Sequence, residues 1–172
     1  IGLDGRLTDF TGPVRVADTW EKVVNDVGEY LERAQESIYF ASPYFDMRTA
    51  EAVLRAFQRG VKMHGLYGSK EGLLEKAQMV MRMFFSQPKM VKSFFEFMTS
   101  PDLNIRIVDL PYTFMVVDKK YAMVEVTKPY TNAFSMAFFF HNEKLCERLI
   151  ETFEVLWQRG SQVDTFLNKF RK

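Results

Sequence analysis

The sequence predicts an α/β domain that contains a mixed β-sheet and flanking helices. Three observations support this: a β-α-β unit over residues 34–67, a hairpin at residues 118–120, and a long amphipathic helix near the end of the chain. Alternating strands and helices favour parallel pairing, whereas a hairpin joins antiparallel strands. We expect one domain over residues 1–172, with an N-terminal extension at 1–17 and a C-terminal helix at 161–172.

The β-α-β unit carries the clearest local signals. Its first strand, Ser37–Tyr44, is rich in aromatic and β-branched residues, which favour strands. We expect Asp46 to cap the following helix, because its carboxylate can accept hydrogen bonds from the free N–H groups of the first turn. Gly60 can adopt the left-handed conformation that ends many helices, and a second apolar run starts at Val61.

Candidate ligand-binding residues follow the ends of these strands. In β-α-β units, ligands tend to bind beyond the carboxyl ends of the strands. Three separate segments would bring side chains to this edge of the sheet: Ser42, Tyr44, Phe45, Asp46, Tyr67 and Tyr112. For the tyrosines, burial with a satisfied hydroxyl is the competing interpretation.

An earlier helix is predicted from Trp20 to about residue 32. Asp18 and Glu21 form an acidic variant of a capping box, and apolar residues then recur at helical spacing as far as Leu31. The residues before it, up to Val16, are predicted to form a loop or an edge strand.

Residues 69–100 are unusually rich in methionine and phenylalanine, concentrated between residues 73 and 98. Pro88 cannot continue a helix interior, so we expect two helices joined near residues 86–89. Their apolar residues cover more than one face. They are therefore either buried, or they line a ligand pocket or a subunit contact.

The second half of the chain predicts antiparallel strands followed by a helix. Phe134–Phe140 is aromatic on both faces, which favours burial on both. Asn142 can cap the last long helix, and Gly160 can end it. The remaining elements are predicted as a strand at Thr113–Val117, a turn at Asp118–Lys120 and a strand at Tyr121–Val126.

Composition excludes several classes of protein. The formal net charge of +1 is too small for a chain that binds nucleic acid over its whole surface. The single cysteine, Cys146, excludes an internal disulfide and a cysteine-rich zinc site, and a free thiol fits a cytoplasmic location. No apolar run is long enough to cross a bilayer. We expect no metal, no cofactor and no membrane partner.

The order of these motifs resembles one half of a phospholipase D-like protein. Such a half begins with the pattern A-x-x-S-I-x-x-x-S-P-Y-F, then a helix, then R-G-V. Here the first pattern runs from Ala34 to Phe45, and Arg59-Gly60-Val61 matches the second. The resemblance implies a single phospholipase D-like half with a mixed sheet, and a lone half is expected to pair with a second copy.

Enzymes of that superfamily carry a His-x-Lys-x4-Asp signature. The Asp matches Asp118, which puts Pro111 at the position of the histidine and Thr113 at that of the lysine. Proline offers no nucleophile for phosphorus, and threonine offers no positive charge for the developing anion. We therefore expect a protein that is not an enzyme and that has no catalytic residue.

Within the superfamily, the chain resembles the effector domain of TrmB-type archaeal transcriptional regulators. In that family the last helix often ends in F-E-x-x-W, which matches Phe153 to Trp157. The resemblance implies a ligand-sensing and dimerising domain, with sugars as the best-known effectors of the family. The Met/Phe-rich segment departs from a sugar site, because it offers apolar walls and few polar groups, and so adds an apolar metabolite as a second effector class. The resemblance also implies a homodimer that contacts DNA only through an upstream domain, since these residues contain no winged helix.

Two other functions stay open at this stage. One is a phosphodiesterase or nuclease whose signature lies elsewhere, with His141 as its candidate. The other is an interaction module that docks a protein or a membrane surface, for which the amphipathic tail 166–172 is a candidate element.

Overall fold

The computed structural model describes residues 13–43, 46–68, 92–93, 96–97, 100, 103–128 and 133–162. These residues form one mixed sheet of eight strands with helices on both faces. The strands are β1 Val14–Ala17, β2 Ser37–Ser42, β3 Lys62–Tyr67, β4 Leu103–Ile107, β5 Phe114–Val117, β6 Tyr121–Thr127, β7 Phe134–His141 and β8 Ser161–Gln162. The helices are α1 Trp20–Arg33, α2 Ala50–Gln58 and α3 Glu143–Arg159.

The strand order across the sheet is β1-β7-β6-β5-β2-β3-β4-β8. Strands β2, β3 and β4 are parallel, and every other pair is antiparallel. This confirms the predicted α/β fold class, the β-α-β unit and the hairpin. We call the end at which β2, β3 and β4 finish the rim, and the opposite end the base.

Two apolar clusters hold the helices to the sheet. The first lies under α1 and α2 and includes Ile38, Met115 and Phe139. The second lies under α3 and includes Leu66, Phe114 and Phe153. Alternate residues of each strand supply the two clusters, as the two-residue repeat of a strand requires. None of the helices in the described part of the chain combines the length and apolar character needed to cross a membrane.

Helix α1 begins at Trp20 as predicted, but the caps of the first two helices differ from those predicted. Thr19 caps α1 by accepting a hydrogen bond from the backbone N–H of Lys22, so the Asp18–Glu21 capping box is wrong. The Asp18 carboxylate instead pairs with the Lys22 ammonium at 2.6 Å. Asp46 precedes a 3₁₀ turn at 47–49 and accepts from the N–H of Arg48, so it caps that turn and not α2.

The ends of α2 and α3 follow the prediction more closely. Gly60 has a φ of 84° and its N–H donates to Phe57, while the N–H of Val61 donates to Ala56, which is a Schellman motif. Asn142 caps α3 through a 2.9 Å bond from the N–H of Leu145, and Gly160 is its C-cap.

The edge strand predicted before α1 is present. Val14–Ala17 pairs with β7 at the edge of the sheet, so the last residues of the predicted extension 1–17 form a strand of the domain. Ser161–Gln162 forms β8 against β4, so the predicted C-terminal helix cannot begin at 161. Residues 1–12 and 163–172 lie outside the described part of the chain.

Strand β7 is not buried on both faces as predicted. Ala137 and Phe139 are buried on the α1 side, whereas Phe138 and Phe140 on the α3 side are only half-buried. The reason is that α3 lies over β5, β6 and β2 and leaves the β1–β7 edge of its face partly open. Val14 and Val16, the neighbours of these two phenylalanines, are about half exposed.

Most of the Met/Phe-rich segment lies outside the described residues, including the predicted helix junction. At its end, residues 92–93 and 96–97 are helical. The ring of Phe97 packs edge-on against Phe57 of α2 with centroids 5.2 Å apart, and Ser93 accepts a 2.7 Å hydrogen bond from Gln58. This part of the segment therefore packs into the core.

The β5–β6 hairpin is joined to the distant α1–β2 connection by Asp118. The hairpin loop has three residues, 118–120, between the paired Val117 and Tyr121. Asp118 and Lys119 have φ values of 51° and 56°, as the two central residues of a type I′ turn require, and the N–H of Lys120 donates to the Val117 carbonyl at 3.1 Å. The Asp118 carboxylate accepts hydrogen bonds of 2.8–3.2 Å from the backbone N–H groups of Gln35, Glu36 and Ser37. Asp118 is thus a turn residue, as predicted, but one whose carboxylate bonds to another segment.

Replacing Asp118 by Ala is expected to lower the free energy of unfolding by about 2–4 kcal/mol, because hydrogen bonds to a charged group contribute about 1.5–3 kcal/mol each and these three are coupled. Asp118→Asn should cost less, since it keeps one acceptor oxygen and suits a positive φ. Urea unfolding measures both changes. Equal losses in the two variants would contradict the role of the carboxylate.

Gly65 and Gly28 should respond in opposite directions to replacement by Ala. A Cβ at Gly65 would lie 2.4 Å from the Phe40 ring, so we expect a loss of about 1–3 kcal/mol from overpacking. A Cβ at Gly28, inside α1, meets nothing within 4 Å, so we expect a gain of about 0.5–1 kcal/mol. Thermal unfolding measures both. A Gly65→Ala protein as stable as the wild type would show that Phe40 can move aside.

Candidate functional site

The rim brings together the ends of two parallel strands and the start of an antiparallel one. Ser42 and Tyr67 are direct partners at the ends of β2 and β3. Phe114, the first residue of β5, is the partner of Ala41 on the other side of β2. The backbone N–H of Val108 donates to the carbonyl of Tyr67 at 3.0 Å and so adds the segment after β4 to the same end of the sheet.

The sequence-predicted binding residues divide between the two faces of the sheet. Ser42 and Tyr67 share the α1/α2 face, where Ser42 is half-buried and Tyr67 is buried. Tyr112 is 39% exposed and its ring packs on Phe114, which belongs to the α3 face. The structure therefore does not bring Tyr112 to the face shared by Ser42 and Tyr67. Tyr44 and Phe45 lie outside the described residues.

Asp46 is the most strongly engaged of the predicted residues. Its carboxylate accepts hydrogen bonds from Nε1 of Trp20 at 2.8 Å and from Nε and Nη2 of Arg48 at 3.0 and 2.8 Å. The Arg48 side chain, followed by the Arg48 backbone N–H and the Trp20 indole, lowers the pKa of Asp46 to about 2 against the opposing effect of burial. Asp46 is therefore a fixed anion that holds the start of α1 to the rim.

A second carboxylate at the rim was missed by the sequence analysis. Glu125 lies on β6 beside Thr113, and its backbone N–H donates to the Thr113 carbonyl at 3.0 Å. Their side chains are only 5% and 7% exposed and lie on the α1/α2 face, since Glu125 alternates with Met123 and Thr113 with Met115. This two-residue alternation was the available signal: an acid stands where β6 should present an apolar residue.

The chain is similar in structure to several solved proteins of low sequence identity. TrmBL2, an archaeal chromatin protein whose structure shows a novel mode of DNA binding, matches with a TM-score of 0.67 and 16% identity over 89% of this chain. NUC from Salmonella typhimurium, a phospholipase D family member, matches with a TM-score of 0.58 and 14% identity over 87% of this chain. NucT from Helicobacter pylori matches with 0.59 and 11% over 88%.

The chain has a phospholipase D-like fold. It spans 97% of NUC and 98% of NucT, but only 55% of TrmBL2. No protein-family model and no curated protein sequence matches it. At these identities the similarities describe the fold alone.

Within the phospholipase D-like fold, the positions matched to the enzyme signature lie on either side of β5. Pro111 and Thr113 precede the strand at the rim, and Asp118 follows it at the base. The Asp118 carboxylate is occupied by the backbone of residues 35–37. These hydrogen bonds give Asp118 a structural role at the base of the sheet.

The two histidines lie away from this face of the rim. His64 sits within β3 on the α3 face, stacked on Tyr39 with ring centroids 4.7 Å apart, and burial lowers its pKa. His141 ends β7 at the base and stacks on Tyr121 at 4.6 Å. Burial raises the pKa of the Cys146 thiol to about 12, so it is not a nucleophile at neutral pH. The described residues contain no group of three His, Cys, Asp or Glu side chains that could hold a metal ion.

Asp46→Asn is expected to lower the free energy of unfolding at pH 7 by about 2 kcal/mol, the equivalent of a pKa lowered from 3.8 to about 2. A lowered native-state pKa stabilises the fold above pH 4, and this stabilisation is lost as the pH falls towards 2. The difference between wild type and variant should therefore shrink over that interval.

Urea unfolding at pH 7, 4 and 2.5 measures the change in Asp46→Asn. Asp18→Asn is the matched control. Asp18 also lies near the start of α1, but its ion pair with Lys22 is exposed to water and therefore contributes little to stability. A difference that stays constant with pH would contradict the charge of Asp46 as its source.

Proposed function

We propose that this chain is the effector-binding and dimerisation domain of a TrmB-type transcriptional regulator and that it is not an enzyme. The observation that carries the proposal is the pair of buried neighbours Thr113 and Glu125 at the rim. Where phosphoryl transfer would need a fixed cation, the chain has a hydroxyl, and a carboxylate lies beside it.

The charge of the rim supports this interpretation. A phosphodiester brings negative charge that grows in the transition state, and catalysis stabilises it with cations or N–H donors. A carboxylate beside the reacting group would repel it, and the effect is largest where water is excluded. Asp46 adds a second carboxylate at this end, although Arg48 offsets its charge and Trp20 donates a hydrogen bond to it.

The same groups favour a hydroxyl-bearing effector over an apolar one. Ser42, Thr113 and Tyr67 carry hydroxyls on one face, and a carboxylate accepts hydrogen bonds from the hydroxyls of a ligand. A small number of placed polar groups fixes the orientation of a ligand that carries matching groups. Of the two effector classes expected from the sequence, a neutral sugar therefore fits the described part of the rim better than an apolar metabolite.

Dimerisation is supported by the β1–β7 edge of the sheet. Val14 and Val16 are 46% and 50% exposed on an edge strand, next to the half-buried Phe138 and Phe140. Exposed apolar side chains on a free sheet edge are typical of a surface that pairs. In the proposed regulator, the domain would form a homodimer and reach DNA through an upstream domain in the cytoplasm.

The experiment compares hydrolysis with binding. The purified chain is expected to release no nitrophenol from bis(p-nitrophenyl) phosphate, and His141→Ala should not change this. In thermal shift, neutral sugars are screened alongside their phosphate esters, such as glucose and glucose 6-phosphate. A ligand at about 100 times its Kd adds about 2.7 kcal/mol of stability, or roughly 5–10 °C for a chain of this size.

Glu125→Gln should reduce the preference for a neutral sugar over its phosphate ester, because it removes the repelling charge. Glu147→Gln, on the exposed side of α3, is the matched control. Light scattering should give twice the 20.2 kDa mass of one chain. Phosphodiester cleavage that depends on His141 would overturn the proposal and favour the nuclease alternative, as would stabilisation by phosphate esters alone.

A further inference from the structure

One hydrogen bond joins the rim to the sheet edge where the described chain begins. Nε1 of Trp20, the first residue of α1, donates to Oδ2 of Asp46 over 2.8 Å. The two residues are 26 positions apart in sequence, and the bond is partly shielded from water. It is therefore a tertiary contact between two segments and not a local feature of a turn.

The Asp46 carboxylate has no acceptor capacity to spare. A carboxylate has about four lone-pair sites. Oδ1 accepts from the backbone N–H and Nε of Arg48, and Oδ2 accepts from Nη2 of Arg48 and from Trp20. A ligand that donates a hydrogen bond to Asp46 must therefore displace Arg48 or Trp20.

Trp20 is firmly attached to β1. Only Asp18 and Thr19 separate it from Ala17, the last residue of β1. The exposed guanidinium of Arg15 in β1 pairs with Asp26 of α1, whose carboxylate is 3% exposed. The Trp20 ring also packs edge-on against Phe134 at 5.5 Å, at the start of the strand that pairs with β1. Displacement of Trp20 would thus disturb β1 and its pairing with β7.

We propose that the Asp46–Trp20 hydrogen bond is a relay that couples occupancy of the rim to the packing of edge strand β1. The relay rests on the proposed effector site. A ligand at the rim changes the hydrogen-bond partners of Asp46. When Asp46 gives up its bond to Trp20, the start of α1 can move, and β1 moves with it. Because residues upstream of β1 join the domain through this strand, its position is what an upstream domain would sense.

The coupling is reciprocal, as any linkage between two sites must be. A change that loosens β1 also weakens the hold of Trp20 on Asp46 and frees an acceptor at the rim. Dimerisation through the exposed face of β1, which includes Val14 and Val16, would therefore alter the affinity of the rim for its ligand.

Hydrogen exchange followed by mass spectrometry tests the relay without any ligand. Trp20→Phe keeps an aromatic ring but removes the indole N–H donor, and Asp46→Asn replaces the carboxylate by a weaker, uncharged acceptor. Both should speed exchange of the β1 amides at least tenfold more than exchange of the β2 and β3 amides, because the lower stability of Asp46→Asn raises exchange in every strand to some degree. Arg48→Gln is the matched control, because it removes partners from the same carboxylate and leaves the Trp20 bond in place.

The outcomes separate the relay from the proposed function. Unchanged β1 exchange in Trp20→Phe and Asp46→Asn would overturn the relay, and so would equal acceleration in every strand or the same effect in Arg48→Gln. If glucose or another sugar stabilises the chain but exchange of the β1 amides is unchanged in the variants, the proposed effector domain is supported and the relay is overturned. If exchange of the β1 amides increases in the variants but no sugar stabilises the chain, the relay is supported and the sugar effector is overturned.

Discussion

The carboxylate of Asp118 is the interaction on which the arrangement of the rest of the sheet depends. It accepts three backbone N–H groups of the α1–β2 connection, while its own N–H donates to the Ser37 carbonyl at 2.8 Å. These bonds fix the hairpin to the start of β2, and hence the register of β5 against β2. A shift of one residue in that register would exchange the two faces of β5.

That fixed register determines which side chains lie at the opposite end of β5, at the rim. Because Asp118 sets the base, Thr113 emerges at the rim on the α1/α2 face, next to Glu125 of β6. The same fold is found in NUC and in TrmBL2, so the fold does not select between chemistry and recognition. In the function that we propose, the selection rests on two buried side chains at the rim, Thr113 and Glu125.

Local signals predicted the local structure well. The β-α-β unit, the Gly60 terminus and the Asn142 cap each depend on residues within one turn or strand, and the structure has all three. Contacts between distant segments were not predictable in this way. Asp46 meets Trp20, 26 positions away, and Asp118 meets the backbone more than 80 positions away. The prediction was least accurate for the site, because Tyr112 packs on the other face of the sheet and the buried Glu125 was not identified.

The positions of β1 and β8 have a consequence for the longer polypeptide in which such a domain can occur. These two strands are the opposite margins of the sheet, with six strands between them. Seven inter-strand gaps of about 4.8 Å place them roughly 34 Å apart. A module fused before β1 and another fused after β8 would therefore be attached at opposite margins of the sheet.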